Sequence, residues 1–227
     1  MTQLKKYIKN SIIYRWFYQP LSSRKRQVFL SKRRSLFKKE GYALLQAFVE
    51  CMDQERIPYW LEYGTLLGAY RDGSFIPNEL DIDVGINLSD ARRVYFSLVN
   101  NGFKLIREFH VVGENGLEQT YEYHGITIDI MYFYRDGDSL WCNGIYGFPK
   151  ANGVLFKAQI TAHKFIPFGL TKMSFMGLTV TIPDNVEKHL SEIYGESFRV
   201  YDPNFPGDFN KYYYQLSEKW GMGFVVE

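Results

Sequence analysis

Cysteine is scarce in this chain, with only Cys51 and Cys142 in 227 residues. Two thiols so far apart in sequence build neither a disulfide framework nor a compact zinc knuckle, which points to a reducing compartment. Long apolar runs are missing too: none approaches the roughly 20 residues that cross a bilayer as a helix. The amino terminus has no signal-peptide grammar, because the apolar stretch over residues 11–18 is short, interrupted by Arg15 and without a small-residue cleavage site. These absences predict a cytoplasmic protein, peripheral on the inner face of a membrane if it meets one. The four histidines, His110, His124, His163 and His189, show no HExxH or paired spacing, so a zinc centre is not expected.

Acidic residues are absent from one region. Residues 1–39 hold twelve Lys or Arg and no Asp or Glu, which leaves 15 basic and 25 acidic groups in residues 40–227. A net charge near zero therefore conceals a +12 leader and a −10 body. In the leader, Ile8, Ile12, Ile13, Trp16 and Phe17 recur at helical spacing beside Lys5, Lys6, Lys9 and Arg15, a composition suited to an anionic membrane interface. Packing of this segment across the acidic body is an equal expectation. Nucleic-acid binding is the least favoured, since no zinc-finger or GxxG signature accompanies the basic run.

What is present in quantity is core material. The 46% hydrophobic and 18% aromatic content exceeds what a disordered or coiled-coil chain carries, so one globular domain is expected over residues 40–227. Residues 41–56 place Leu44, Leu45, Phe48, Val49 and Met52 on one helical stripe, stopped by Ile57-Pro58. The run LDIDVGI alternates as a strand, and residues 87–101 read as a helix capped by Asn87 or Ser89. Residues 103–112, 119–124 and 126–134 read as a meander of strands. Residues 140–169 lack a stable period and predict irregular structure over a pocket. Strand character returns at 175–182, and helices follow at 186–194 and 209–220. The fold class expected is α/β, a mixed sheet flanked by helices, with a basic helical extension at the amino terminus.

The chemistry concentrates in Asp81-Ile82-Asp83. In a strand, residues two apart share a face, so both carboxylates point one way while Ile82 and Val84 enter the core. Two aligned carboxylates repel unless a cation joins them, and hard oxygen donors suit magnesium or manganese. Taken alone the triplet is common at loops and helix caps, and a solvated surface is the favoured reading of it. Asp129, in TIDIM, lies in another predicted strand and faces away from Ile128 and Ile130. Were the two strands neighbours, Asp81, Asp83 and Asp129 would hold one or two ions for phosphoryl transfer, Asp129 binding the second ion or taking the proton of the attacking hydroxyl. Gly64 leaves room for a phosphate, Thr65 offers a hydroxyl, and Arg71 offers a counter-charge. An ordinary helix entry and a surface charge explain the same residues.

The continuous run YWLEYGTLLGAYRDGSFIPNELDIDVGI, with TIDIMYF and GLTVTIPDNVEKHLSEIYGESFRVYDP after it, resembles the LicD family of phosphotransferases, which includes the fukutin-related group and has the nucleotidyltransferase fold. The resemblance extends over most of residues 57–203. It implies that Gly64 and Thr65 are the glycine and small hydroxyl of the fold, that Asp81, Asp83 and Asp129 are its metal-binding carboxylates, and that Arg71 shapes the phosphate side of the cleft. Asn78-Glu79-Leu80 departs from the family's usual tryptophan and two aspartates, with Glu79 keeping one negative charge. The implied activity is transfer of phosphocholine or an alditol phosphate from a nucleotide-activated, CDP-linked donor to a hydroxyl of a cell-surface glycan or its lipid-linked precursor. The competing readings are a nucleotide-sugar-dependent glycosyltransferase, a transferase that adds a nucleoside monophosphate, and a non-catalytic nucleotide- or glycan-binding module.

Overall fold

The computed structural model describes residues 23–146, 150–151, 154–156, 159–201, 213–215 and 219–226. The amphipathic segment expected within residues 1–18 lies outside them. The first element, α1 (Ser23–Glu55), crosses residue 39 without a break. Phe37, Leu44, Leu45, Phe48, Val49 and Met52 are buried along its inner stripe, which is the 3.6-residue period made physical. Arg56 ends the helix in the left-handed region at φ 53°, and Ile57 N–H closes back on Met52 O at 2.9 Å before Pro58 forbids continuation.

Strands β1 (Tyr59–Leu61) and β2 (Asp81–Asn87) pair antiparallel, separated by the short helix α2 (Tyr63–Leu67) and a π-turn over Gly68–Asp72. A 3-10 turn at Leu88–Asp90 leads into α3 (Ala91–Asn100), and Asn87 makes no side-chain cap, contrary to expectation. The meander is present as β3 (Lys104–Val111), β4 (Leu117–Tyr123) and β5 (Ile126–Asp136). The β4–β5 turn is His124-Gly125, with φ 52° and 82°, the pair of positive angles that suits the twist of a two-residue hairpin. The first half of β5 is flanked by β2, in parallel, and by β4, in antiparallel register.

Three expectations are corrected. Within 140–169 the described residues include two paired strands where irregular structure was expected: β6 (Ser139–Tyr146) and β9 (Gln159–Phe165) pair over seven register positions and extend the sheet from the end of β5. Their period was hidden because Asn143 and Gly144 stand on a cavity wall. Residues 175–182 are not one strand but part of a hairpin, β10 (Leu170–Phe175) and β11 (Leu178–Pro183), turned at Met176-Gly177 with φ 52° and 87°. Of the last expected helix, 209–220, residues 209–212 and 216–218 lie outside the described residues, and Tyr213–Gln215 form a strand instead, β12, which pairs with β9. The remaining elements are β7 (Lys150–Ala151), β8 (Val154–Phe156), α4 (Val186–Tyr194) and β13 (Gly221–Val225), the last lying against β3.

The result is a mixed α/β architecture, an 11-stranded sheet among the described residues with helices against it. Strand alternation sorts its centre into two faces. Ile82, Val84, Ile86, Ile128, Ile130 and Tyr132 join the larger core with α1 and α3. Met131 and Phe133 turn the other way, into a smaller cluster with Trp60 and Ile193. Asp81, Asp83 and Asp129 share the parity of that second face.

Candidate functional site

The site grows from the β2–β5 pairing. Asp83 and Asp129 are partners in the parallel register, and Asp81 sits opposite Thr127. Neighbouring strands lie about 4.8 Å apart, so Asp83 and Asp129 project side by side from one face. Asp83 is fixed by its backbone: its N–H donates to Thr65 Oγ1 at 3.0 Å, and its carbonyl accepts Glu62 N–H at 3.0 Å. Thr65 is fully buried, so its hydroxyl acts beneath the cavity as a clamp on β2. Gly64 lies on the cavity wall, where a Cβ would come within 2.8 Å of Glu79 Oε2. The missing side chain is what lets Glu79 turn into the site.

The cavity measures about 390 Å³ and is walled by Gly64, Glu79, Asp83, Asp129, Arg107 and Glu118, together with Tyr63, Asn143 and His163. Burial dominates its electrostatics. It pushes Glu79 up to about 8, helped by Asp81, and Glu118 up to about 7 even though Arg107 stands beside it. Asp81 rises to about 7 through burial and then the charge of Asp129, with Arg33 and Arg107 opposing. Asp83 is raised well above the carboxylate range by burial and by Asp81, Glu79 and Asp129. Among the described residues, no three His, Cys, Asp or Glu side chains stand in an arrangement ready to hold a metal ion. The carboxylates share a face without closing into a cage.

Of the residues singled out in the sequence, Gly64, Asp83 and Asp129 line the cavity, whereas Thr65, Arg71 and Asp81 do not. Asp81 lies beside Arg33 of α1, which donates to Leu80 O at 3.3 Å and Thr127 Oγ1 at 3.2 Å. Arg71 is forked onto its neighbour, with Nε and Nη2 each 2.7 Å from an oxygen of Asp72, and Nη1 reaches Phe198 O at 3.4 Å. Its guanidinium is spent on the π-turn and the segment after α4.

Sequence reasoning missed a buried support and most of the far wall. Glu62 and His189 are fully buried; His189 Nε2 lies 2.8 and 2.9 Å from the two Glu62 oxygens, which also accept Trp60 Nε1–H at 3.0 Å and Tyr63 N–H at 3.2 Å. This network seats the start of α2 and hence Gly64. Opposite, Tyr63 OH reaches His163 Nδ1 at 3.2 Å, and burial pushes the His163 imidazole down to about 4. A Tyr preceding Gly-Thr was readable; the partnership across a hundred residues was not.

Comparison with known proteins identifies the family. The model of the family described as LicD/FKTN/FKRP, nucleotidyltransferase domain, matches residues 56–185. The human ribitol-5-phosphate transferase FKTN is 28% identical over 166 residues, 72% of this chain and 34% of its own length. The human ribitol 5-phosphate transferase FKRP is 26% identical over 173 residues, 70% of this chain and 31% of its own length. The chain thus spans about a third of the length of these relatives. A solved structure of the lincosamide antibiotic adenylyltransferase LnuA with lincomycin bound covers 67% of this chain and 82% of its own, at 16% identity and a TM-score of 0.42.

Proposed function

Because the chain belongs to the LicD/FKTN/FKRP nucleotidyltransferase-domain family, we propose that it is a metal-dependent phosphotransferase that moves a phospho-alcohol from a nucleotide-activated donor to a glycan hydroxyl. The alcohol is choline or an alditol, the latter the kind of group named in its ribitol-phosphate-transferring relatives. The donor is CDP-linked, and the acceptor is a cell-surface glycan or its lipid-linked precursor. The observation that carries the reading is the side-by-side placement of Asp83 and Asp129 on the wall of a cavity that Gly64 lines without a side chain.

The donor set fits magnesium or manganese on its chemistry. All its atoms are carboxylate oxygens, Asp129 Oδ1 and Glu79 Oε2 are buried with no hydrogen-bond partner, and like charges crowd Asp83. Asp83, with Asp81 beside the cavity on the same strand face, would hold the first ion and Asp129 a second, and a bound ion would neutralise the donor phosphates. The remaining work belongs to the chain. Gly64 admits the phosphate to the wall, Thr65 keeps Asp83 in register, and Arg71 braces the π-turn behind the cleft. Asp129, whose Oδ1 is buried without a hydrogen-bond partner, would take the proton of the attacking hydroxyl when a single ion is bound.

The +12 leader brings the enzyme to an anionic inner membrane face, where each exposed Lys or Arg contributes about 1 kcal/mol. Among the described residues, no helix is long and apolar enough to cross a membrane. Calorimetric titration of CDP, UDP, GDP and ADP, each with and without magnesium, tests the donor assignment. A magnesium-dependent preference for CDP is expected; preference for UDP or GDP moves the reading to sugar transfer, and binding of none overturns the donor class.

A further inference from the structure

The acidic cavity contains one basic side chain that the carboxylate motif does not account for. Among the described residues that line it, Arg107 is the only lysine or arginine. Its presence there depends on a local irregularity in β3. Leu105 pairs with Tyr121 and Arg107 with Thr120, so Ile106 is an extra residue opposite a single step of β4. In a regular strand, residues 105 and 107 share a face, which would send Arg107 toward the helix side with Leu105, against the larger core. The bulge reverses this. Arg107 takes the parity of Thr120, which pairs with Asp129, and emerges on the cavity side. Bulges beside functional sites re-aim a side chain in this way.

The guanidinium lies over the Phe109 ring, 5.3 Å from its centroid, and its contacts with carboxylates are long. Nη2 stands 3.5 Å from Asp129 Oδ2 and 3.6 Å from Glu118 Oε1, within reach of charge but longer than a charge-assisted hydrogen bond. Its Nε is buried with no hydrogen-bond partner, as is Asp129 Oδ1 next to it. The contrast with Arg71 is direct, since that guanidinium makes two 2.7 Å bonds to Asp72. A planar fork on the cavity wall, whose carboxylate neighbours stand off from it at 3.5 and 3.6 Å, matches the two-point geometry of a phosphate.

We propose that Arg107 is the phosphate-binding residue of the cavity, taking the phosphoryl oxygens of the donor in place of its long contacts with Asp129 and Glu118. The exchange gives the guanidinium short bonds to the ligand. It also frees Asp129 from its cation at the stage when its oxygens are needed. The inference deepens the phosphotransferase reading and rests on it for the donor, while the anion site itself is testable without any nucleotide.

Inorganic pyrophosphate, titrated calorimetrically in the presence of magnesium, is the probe. Wild type is expected to bind it, with affinity lost by about tenfold or more in Arg107→Met and partly kept in Arg107→Lys, which retains charge without the fork. The affinity for cytidine, which carries no phosphate, is expected to be the same in all three proteins, a pattern that a general loss of structure would not produce. Thermal unfolding identifies a variant that has lost its fold, and in that case the Arg107→Lys comparison carries the decision. Failure of wild type to bind pyrophosphate, or equal binding by wild type and both variants, overturns the assignment. The nucleotide panel is judged separately: pyrophosphate dependence on Arg107 with no CDP preference keeps the anion site and rejects the CDP donor.

Discussion

Replacing Glu62 by glutamine changes one atom in a fully buried polar group, and the structure sets the size of the effect. Both Glu62 oxygens are acceptors: Oε1 serves Trp60 Nε1–H and His189 Nε2, and Oε2 serves Tyr63 N–H and the same His189 nitrogen. A glutamine amide keeps one acceptor and presents two donors in place of the other. In one orientation its NH2 faces the Trp60 indole N–H; in the other it faces the Tyr63 backbone N–H. Either way a buried donor loses its partner, at about 1–3 kcal/mol, and a strong bond to a carboxylate becomes an ordinary one. The sum is about 2–4 kcal/mol. The second orientation also loosens Tyr63, which is held at φ 41°, a backbone state that costs about 1–3 kcal/mol and persists only while its surroundings hold it.

Urea denaturation followed by tryptophan fluorescence and far-UV circular dichroism measures this loss, with an unchanged slope required for it to be read as stability. His189→Gln supplies the second corner of a double-mutant cycle. Its cost should be smaller in the Glu62→Gln background, since the shared bond is already weakened. A Glu62→Gln protein within about 0.5 kcal/mol of wild type, the ordinary range for a harmless substitution, would refute the claim that this network seats α2.

Asp83→Asn should retain the fold, since the clamp from Thr65 is to the backbone N–H, and should show no measurable transfer; turnover at the wild-type rate in the purified variant would remove Asp83 from the machinery. Gly85→Ala drives a Cβ to 2.3 Å from the Trp60 ring, which is packed against Phe133 and Phe168 and tied to Glu62, so it should cost about 3 kcal/mol. For a chain of this size that is a fall in Tm of about 6–12 °C, and a shift under about 2 °C would show that the indole moves freely. His163 is depressed from 6.5 to about 4 by burial, with Glu62 opposing, so the unfolded chain takes the proton first as pH falls. Its contribution to stability is complete above pH 6.5, drains between pH 6.5 and 4, and amounts to about 3 kcal/mol. His163→Gln should flatten that part of the urea-midpoint profile, and an unaltered profile would place the titration elsewhere.

The elements that were legible in the sequence are those whose period reports burial on a single partner. The stripe Leu44 to Met52 on α1 and the alternation of β2 and β5 were readable because each position faces either a core or its opposite. The carboxylates Asp83 and Asp129 were readable for the same reason, as polar residues in phase with one another on strands whose other face is apolar. Illegibility began where a strand face is neither core nor solvent. On β6 the positions Asn143 and Gly144 interrupt the pattern because they wall a cavity, and on β3 the extra residue Ile106 inverts the phase from Arg107 onward. A one-residue inversion leaves no mark in composition, and the pairing that exposes it joins β3 to β4. Both breaks in periodicity fall around the same 390 Å³ space. Loss of alternation between two well-patterned strands is therefore a signal in its own right, pointing to a concave wall rather than to a loop.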